Sequence, residues 1–136
     1  MKKILMFLTG IIASSSAFAE DLTGVDKFIC SASFAQICFE SGECFQRTPA
    51  ELSMPEFVVV DVKEKTVKTT KVSGLNRSSE FSFINRTETT ISLQGVEETR
   101  LFSFVINEQS GFLTVAIADD GYSVNVFGAC TDAQVK

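Results

Sequence analysis

Two cysteines six positions apart, Cys38 and Cys44, are the residues whose type and spacing first suggest chemistry. Such a pair can be a redox couple, a pair of metal ligands or a disulfide. A redox role is disfavoured because the spacing is not C-x-x-C and neither thiol has a Lys or His beside it to lower its pKa. Zinc is disfavoured because the chain has no histidine and no C-x2-C knuckle. We therefore favour a disulfide.

The chain has two further cysteines, Cys30 and Cys130. An even number in an oxidising compartment predicts disulfides, and four cysteines allow three pairings. If Glu40-Ser41-Gly42 is a three-residue hairpin loop, with Gly42 as its left-handed residue, Cys38 faces Cys44 across the hairpin. This pairing is favoured, and it leaves Cys30 to bridge to Cys130.

The acidic and nucleophilic side chains do not form a recognisable catalytic motif. Without histidine, Ser-His-Asp and Cys-His sites are impossible. The pairs Glu97-Glu98 and Asp119-Asp120 lie in predicted turns, where neighbouring side chains diverge. The sequence has no glycine-rich phosphate loop. We expect a non-enzymatic protein without a metal or a cofactor.

Asp61 is the acid of most interest, because it lies in the apolar stretch from Phe57 to Val62. In a strand, Phe57, Val59 and Asp61 share one face. Two interpretations stay open. Asp61 either ends the strand beside water or is a polar group inside a cavity.

The N-terminal residues have the pattern of a secretory signal peptide. Lys2 and Lys3 precede a mostly apolar stretch from Ile4 to Ala13, and Ala17-Phe18-Ala19 is an A-x-A cleavage signal. The apolar stretch is too short to span a bilayer. We expect cleavage after Ala19, a periplasmic or secreted location, and no membrane anchor after cleavage. Residues 20–136 would then form a single disulfide-bonded β domain.

Charge argues against nucleic acid as a partner. The full chain has a net charge of -5. Loss of the signal peptide makes the charge more negative, because it removes Lys2 and Lys3. Nucleic-acid binding needs clustered Lys and Arg against the phosphates. The densest basic stretch, Lys63 to Lys71, instead alternates with Thr, Val and Glu. Thirteen Phe against one Tyr and no Trp indicate an aromatic-filled core.

After the signal, apolar and polar residues alternate with period two, which indicates β-strands. Asp119-Asp120-Gly121 is a hairpin turn signal, and Phe28, Cys30, Ala32 and Phe34 would share one face of the first strand. The predicted strands cover residues 28–38, 43–47, 57–62, 66–73, 80–85, 89–94, 99–107, 112–118 and 122–128.

One short stretch breaks the strand pattern. Thr48-Pro49-Ala50-Glu51 has a capping box and a proline at the first helical position. Pro55 prevents a long helix. We predict at most one short helical turn near residues 49–54, which would form a small plug between strands.

These elements predict an all-β fold, a single antiparallel meander of about eight or nine short strands closed or partly closed into a small barrel. Closure removes exposed strand edges, and a bridge from Cys30 to Cys130 would place the first strand beside the last. A two-sheet sandwich is the alternative. Leu101 to Ile106 is apolar on both faces except at Ser103, so we expect a plug, a loop or a partner to cover it.

The cysteine frame C-x7-C-x5-C, together with Phe127-Gly128-Ala129-Cys130, resembles that of small uncharacterised secreted bacterial proteins. The likeness covers most of the mature domain and implies a small disulfide-bonded β domain. A second resemblance is to periplasmic lysozyme inhibitors of the membrane-bound or C-type kind, which are small barrels with an early and a late cysteine. Their inhibitory loop carries a Ser-Gly pair, and here Ser73-Gly74 precedes Leu75-Asn76-Arg77. The rest of that loop motif does not match.

Two functions from different classes follow. The Phe-rich interior of a small barrel favours a binding module for a small apolar ligand or for a protein. The acidic charge and the loop containing Ser73, Gly74 and Arg77 favour an inhibitor of an envelope hydrolase such as lysozyme.

Overall fold

The structure, a computed structural model, describes residues 20–134, and the predicted signal peptide lies outside the described residues. Two single-turn 3-10 helices, η1 (Ala50–Leu52) and η2 (Lys71–Ser73), interrupt the strands. The strands are β1 (Lys27–Phe39), β2 (Cys44–Arg47), β3 (Phe57–Asp61), β4 (Thr66–Thr69), β5 (Ser78–Glu80), β6 (Phe83–Arg86), β7 (Thr90–Glu97), β8 (Arg100–Asn107), β9 (Phe112–Asp119) and β10 (Tyr122–Asp132). Within residues 20–134, no helix is long and apolar enough to cross a membrane.

The strands form one antiparallel sheet in the order β5-β4-β3-β1-β10-β9-β8-β7-β6, and β2 pairs with β1 beside this path. The nine strands of the path curl into a half-barrel. The predicted all-β meander is therefore confirmed in its partly closed form. The first and last strands are neighbours along most of their length, from Phe28 opposite Asp132 to Phe39 opposite Tyr122.

The two ends of the sheet, β5 and β6, are successive parts of one bent stretch of chain. β5 pairs with β4, whereas β6 pairs with β7. The chain passes between these partners at Phe81 and Ser82, so the single strand predicted at 80–85 is divided. Gly95 of β7 makes room for this passage, because a Cβ at this position would overlap the Phe102 ring and the Glu80 carbonyl oxygen.

A bulge in β1 changes which side chains face the interior. The register shifts between Ala32 and Phe34, so Ser33 is the extra residue. Phe34 consequently lies on the outer face against Phe127, with 6.1 Å between the ring centroids. The prediction that Phe34 shares a face with Phe28 is wrong, because strict alternation does not foresee an extra residue. The buried residues of β1 are Phe28, Cys30 and Ala35.

Both disulfides follow the pairing that the sequence favours. Cys38–Cys44 closes the β1–β2 hairpin, with 4.1 Å between the Cα atoms, and Gly42 in its loop has a φ of 87°. Cys30–Cys130 joins β1 to β10. In the loop-closure model the long bridge stabilises the fold by roughly 4–5 kcal/mol and the short one by roughly 2–3 kcal/mol. The long bridge therefore ties the first strand of the sheet to the last.

The core lies on the concave face of the half-barrel. Phe81, Phe102 and Phe104 pack edge to face there, with 5.5 to 6.1 Å between ring centroids. On the outer face of β8, Leu101 and Val105 are exposed. Within residues 20–134, neither the predicted plug nor a loop covers this outer face, so a partner there stays a prediction. The inner face, with Phe102 and Phe104, belongs to the core against which Leu52 and Met54 of the predicted plug pack.

Candidate functional site

An apolar cavity of about 150 Å3 lies on the concave side of the half-barrel. Alternation along each strand points every second side chain inward, and in β8 and β9 these positions are mostly buried. The cavity therefore has walls on several strands. Its apolar lining includes Val58, Val67, Phe102, Phe104, Val115 and Val126.

The helical turn predicted near residues 49–54 borders this cavity. Thr48 and Glu51 form the predicted capping box, in which the Thr48 N–H donates to the Glu51 carboxylate at 2.7 Å and the Glu51 N–H donates to the Thr48 hydroxyl at 3.3 Å. The backbone donor of Thr48, followed by its hydroxyl, lowers the pKa of Glu51. Leu52 and Met54 line the cavity and pack against the core. The turn therefore acts as the expected plug.

Two arginines and one glutamate surround the mouth of the cavity. Arg77 precedes β5, Glu97 ends β7 and Arg100 begins β8, and all three belong to the lining. The Oε2 atom of Glu97 lies 3.6 Å from a guanidinium nitrogen of Arg77 and 4.0 Å from one of Arg100. Glu56 and Lys68 also border the cavity, but the Lys68 side chain points to the outer face, because Lys68 pairs with Val59 and alternates with the inward Val67. One carboxylate is thus shared by two guanidinium groups, so this group of three residues carries one net positive charge.

The predicted binding loop lies beside this mouth, but only Arg77 of its three residues lines the cavity. The strand predicted to continue to Ser73 ends at Thr69, and η2 follows it. The Ser73 hydroxyl donates to the Thr70 carbonyl at 2.6 Å and accepts the Leu75 N–H at 3.2 Å. Gly74 has a φ of 69°. Ser73 and Gly74 therefore shape the loop.

Asp61 is not a cavity residue. It lies at the turn between β3 and β4, where its Oδ1 atom accepts the Glu64 N–H at 2.9 Å. Its Oδ2 atom lies 4.0 Å from Nζ of Lys27. The interpretation of Asp61 as a polar group inside the cavity is corrected, because the alternation of β3 turns its side chain away from buried Val60.

An ion cluster closes the end of the half-barrel opposite the mouth. Arg86, at the end of β6, donates to the Val25 carbonyl at 2.7 Å, to Oδ1 of Asp26 at 2.8 Å and through Nε to Oε1 of Glu108 at 2.9 Å. Glu108 is only 2% exposed. Lys63, 3.2 Å from the Asp26 carboxylate, lowers the pKa of Asp26 most, and Arg86 adds to this effect.

Sequence reasoning missed both charged groups. Glu97 belongs to a predicted turn, and Arg86 lies just beyond the strand predicted at 80–85, so neither position indicates a partner. Arg86 and Glu108 lie 22 positions apart, and Arg77 and Glu97 meet only because β5 folds against β7. A local signal could not have paired them, because strand order decides both contacts.

The described residues offer no obvious metal centre. Within residues 20–134, no group of three or more His, Cys, Asp or Glu side chains is placed to hold a metal ion. No protein-family model, no curated protein and no solved structure matches this chain.

Proposed function

We propose that this protein binds a small apolar ligand in the cavity of its half-barrel. The observation that carries the proposal is the apolar cavity of about 150 Å3 with its walls on the inward faces of several strands. An apolar cavity of about 150 Å3 can hold benzene, whereas drug-sized ligands need about 300–1,000 Å3. The ligand is therefore a small molecule or the apolar end of a larger one.

The rigidity of the walls supports this proposal. Cys30 belongs to the lining and is bonded to Cys130, and the Phe102 and Phe104 rings are held by Phe81. A preformed pocket loses little conformational entropy when a ligand enters. Binding can then draw on the burial of apolar surface, which contributes about 25 cal/mol per Å2.

We place this activity in the periplasm or outside the cell. Cys30–Cys130 and Cys38–Cys44 are of the kind that forms and persists in oxidising compartments. The signal pattern that ends at Ala19 supports export and cleavage at that point.

Calorimetric titration of the oxidised protein with hexanol and with toluene tests the proposal. We expect both to bind, and we expect Val115→Phe, which fills the cavity from β9, to weaken hexanol binding at least about tenfold. Val105→Phe is the matched control, because Val105 is exposed on the outer face of β8 and the substitution should leave binding unchanged. Absence of binding by both ligands, or equal binding by the two variants, would overturn the proposal.

A second candidate, inhibition of an envelope hydrolase such as lysozyme, is favoured by the loop after β4. Val72 at its tip is 98% exposed, and Leu75 is also exposed. Apolar side chains on a protruding loop suit insertion into the cleft of another protein, and the acidic chain would attract a basic enzyme. A molar excess of the protein should then slow cell-wall hydrolysis by lysozyme, and an unchanged rate excludes this candidate.

A further inference from the structure

We propose that the ligand is an amphiphile with an anionic head group, a carboxylate or a phosphate ester. Arg77 and Arg100 would bind the head at the mouth, and the apolar part would occupy the cavity. This inference rests on the proposed function and adds the chemistry of the ligand's polar end.

The ion pairs at the mouth leave the two arginines with spare donors. Hydrogen bonds from N–H groups to oxygen usually span about 2.7–3.2 Å, whereas Glu97 lies 3.6 Å from Arg77 and 4.0 Å from Arg100. Each guanidinium carries five N–H donors in a planar fork that fits a carboxylate or a phosphate. A ligand anion can therefore form the short, paired hydrogen bonds that Glu97 does not form.

The arginines are placed to act on a ligand whose apolar part is inside. Arg100 and Phe102 are two positions apart on β8, so their side chains point to the same face. Two strand residues span about 7 Å. A head group at Arg100 thus lies a short alkyl chain or one ring away from the aromatic wall, which agrees with a cavity of about 150 Å3.

The local charge at the mouth favours an anion, although the net charge of the whole chain does not. The whole chain has a net charge of -5, so it repels anions at long range. At the mouth, Arg77 and Arg100 share the single carboxylate of Glu97, so these three residues carry one net positive charge. A local excess of positive charge in an acidic protein, beside an apolar cavity, matches the two ends of an anionic amphiphile.

The test compares four ligands that share one alkyl chain: hexanoate, hexyl phosphate, hexanol and hexylamine. Calorimetric titration of the oxidised protein at neutral pH should give dissociation constants for the two anions about tenfold lower than for hexanol. Hexylamine should bind more weakly than hexanol. The tighter of the two anions identifies the head group.

Substitutions at the mouth assign the effect to its residues. Arg77→Gln and Arg100→Gln should each weaken hexanoate binding about fivefold to tenfold, and should weaken hexanol binding much less. Glu97→Gln should strengthen hexanoate binding, because it removes the carboxylate that competes with the ligand. Arg47→Gln is the control, since Arg47 on β2 lies over the Phe45 ring and not in the cavity lining. Urea unfolding verifies that each variant is folded.

The outcomes separate the two proposals. If hexanol binds as tightly as hexanoate, or if the arginine variants bind hexanoate like the parent protein, the head-group inference is overturned and the proposed function stands. If none of the four ligands binds, the proposed function is overturned as well.

Discussion

Arg86 is the residue that holds the closed end of the half-barrel together. It contacts Val25 and Asp26 before β1 and Glu108 after β8, which lie 61, 60 and 22 positions away from it in the sequence. The Glu108 side chain is 2% exposed, whereas that of Arg86 is 28% exposed. Loss of one partner from a buried ion pair leaves the other charge without compensation, which costs about 3–5 kcal/mol. The partial exposure of Arg86 places it at the lower end of this range.

We therefore predict that Arg86→Leu lowers the free energy of unfolding by roughly 3 kcal/mol, as measured by urea denaturation. Lys63→Met is the control, because Lys63 also pairs with Asp26 but its side chain is 77% exposed. Exposed pairs contribute about 0–1 kcal/mol, so this variant should be nearly as stable as the parent.

A double variant completes this test. Arg86→Leu combined with Glu108→Leu should recover part of the loss, since it removes both charges together. Equal losses for Arg86→Leu and Lys63→Met would show that the cluster does not stabilise this end of the barrel.

Among the strands, the contact between β1 and β10 depends on a glycine opposite the bulge. Gly128 pairs with Ala32, next to the extra residue Ser33. A Cβ at position 128 would overlap the Ser31 carbonyl oxygen and lie 3.2 Å from the Ala32 Cα atom. These are backbone atoms, so they cannot move aside as a side chain could. The glycine of the Phe127-Gly128-Ala129-Cys130 stretch thus allows two strands to approach closely.

We expect Gly128→Ala to destabilise the protein by about 3 kcal/mol, the upper end of the range for overpacking. Gly42→Ala provides the comparison. Gly42 has a φ of 87° and open space around it, so only backbone strain of about 1–2 kcal/mol applies. Urea denaturation measures both losses, and hydrogen exchange should show faster exchange in β1 and β10 for Gly128→Ala alone. A smaller loss for Gly128→Ala than for Gly42→Ala would contradict this account.

Short sequence motifs correctly predicted those turns that are determined by neighbouring residues. The capping box of Thr48 and Glu51, the loop at Gly42 and the Asp120-Gly121 turn between β9 and β10 each depend on neighbouring residues. The bulge at Ser33 and the division of 80–85 into β5 and β6 depend on partner strands instead. Alternation alone therefore predicted the number and type of strands better than it predicted their faces.

For the whole molecule, the sequence predicted a closed or partly closed barrel with an aromatic-filled core, but not the proposed binding site. The aromatic filling is wrong for most of the described Phe side chains, because four are buried (Phe28, Phe81, Phe102 and Phe104) and six are exposed (Phe39, Phe45, Phe57, Phe83, Phe112 and Phe127). Of the predicted site residues, Arg77 lies at the mouth of the cavity, while Asp61 lies at a turn. The grouping of Arg77 with Glu97 and Arg100 arises only when β5 meets β7. A site made by the ends of strands from different parts of the chain cannot be assembled without the strand order.

The charge state of the molecule gives a prediction for the pH dependence of stability. Hydrogen bonds to carboxylates at four places lower the pKa of each: Asp21, Asp26, Glu51 and Asp119. The pKa of Asp26 is lowered by the hydrogen bond from Lys63 and then by that from Arg86. The pKa of Asp119 is lowered most by the hydrogen bond from the Asp120 N–H. A carboxyl whose pKa is lower in the folded state stabilises the fold above its unfolded pKa, about 4. That stabilisation is lost as the pH falls through the folded value.

The free energy of unfolding should therefore stay nearly constant from about pH 8 to pH 5, because the chain has no histidine to titrate there, and fall below about pH 4. Urea denaturation at a series of pH values measures this curve. Asp26→Asn should reduce its slope below about pH 4, because one of the hydrogen-bonded carboxylates is then absent. Stability that rises on acidification would mean that these hydrogen bonds do not hold the carboxylates in their charged form.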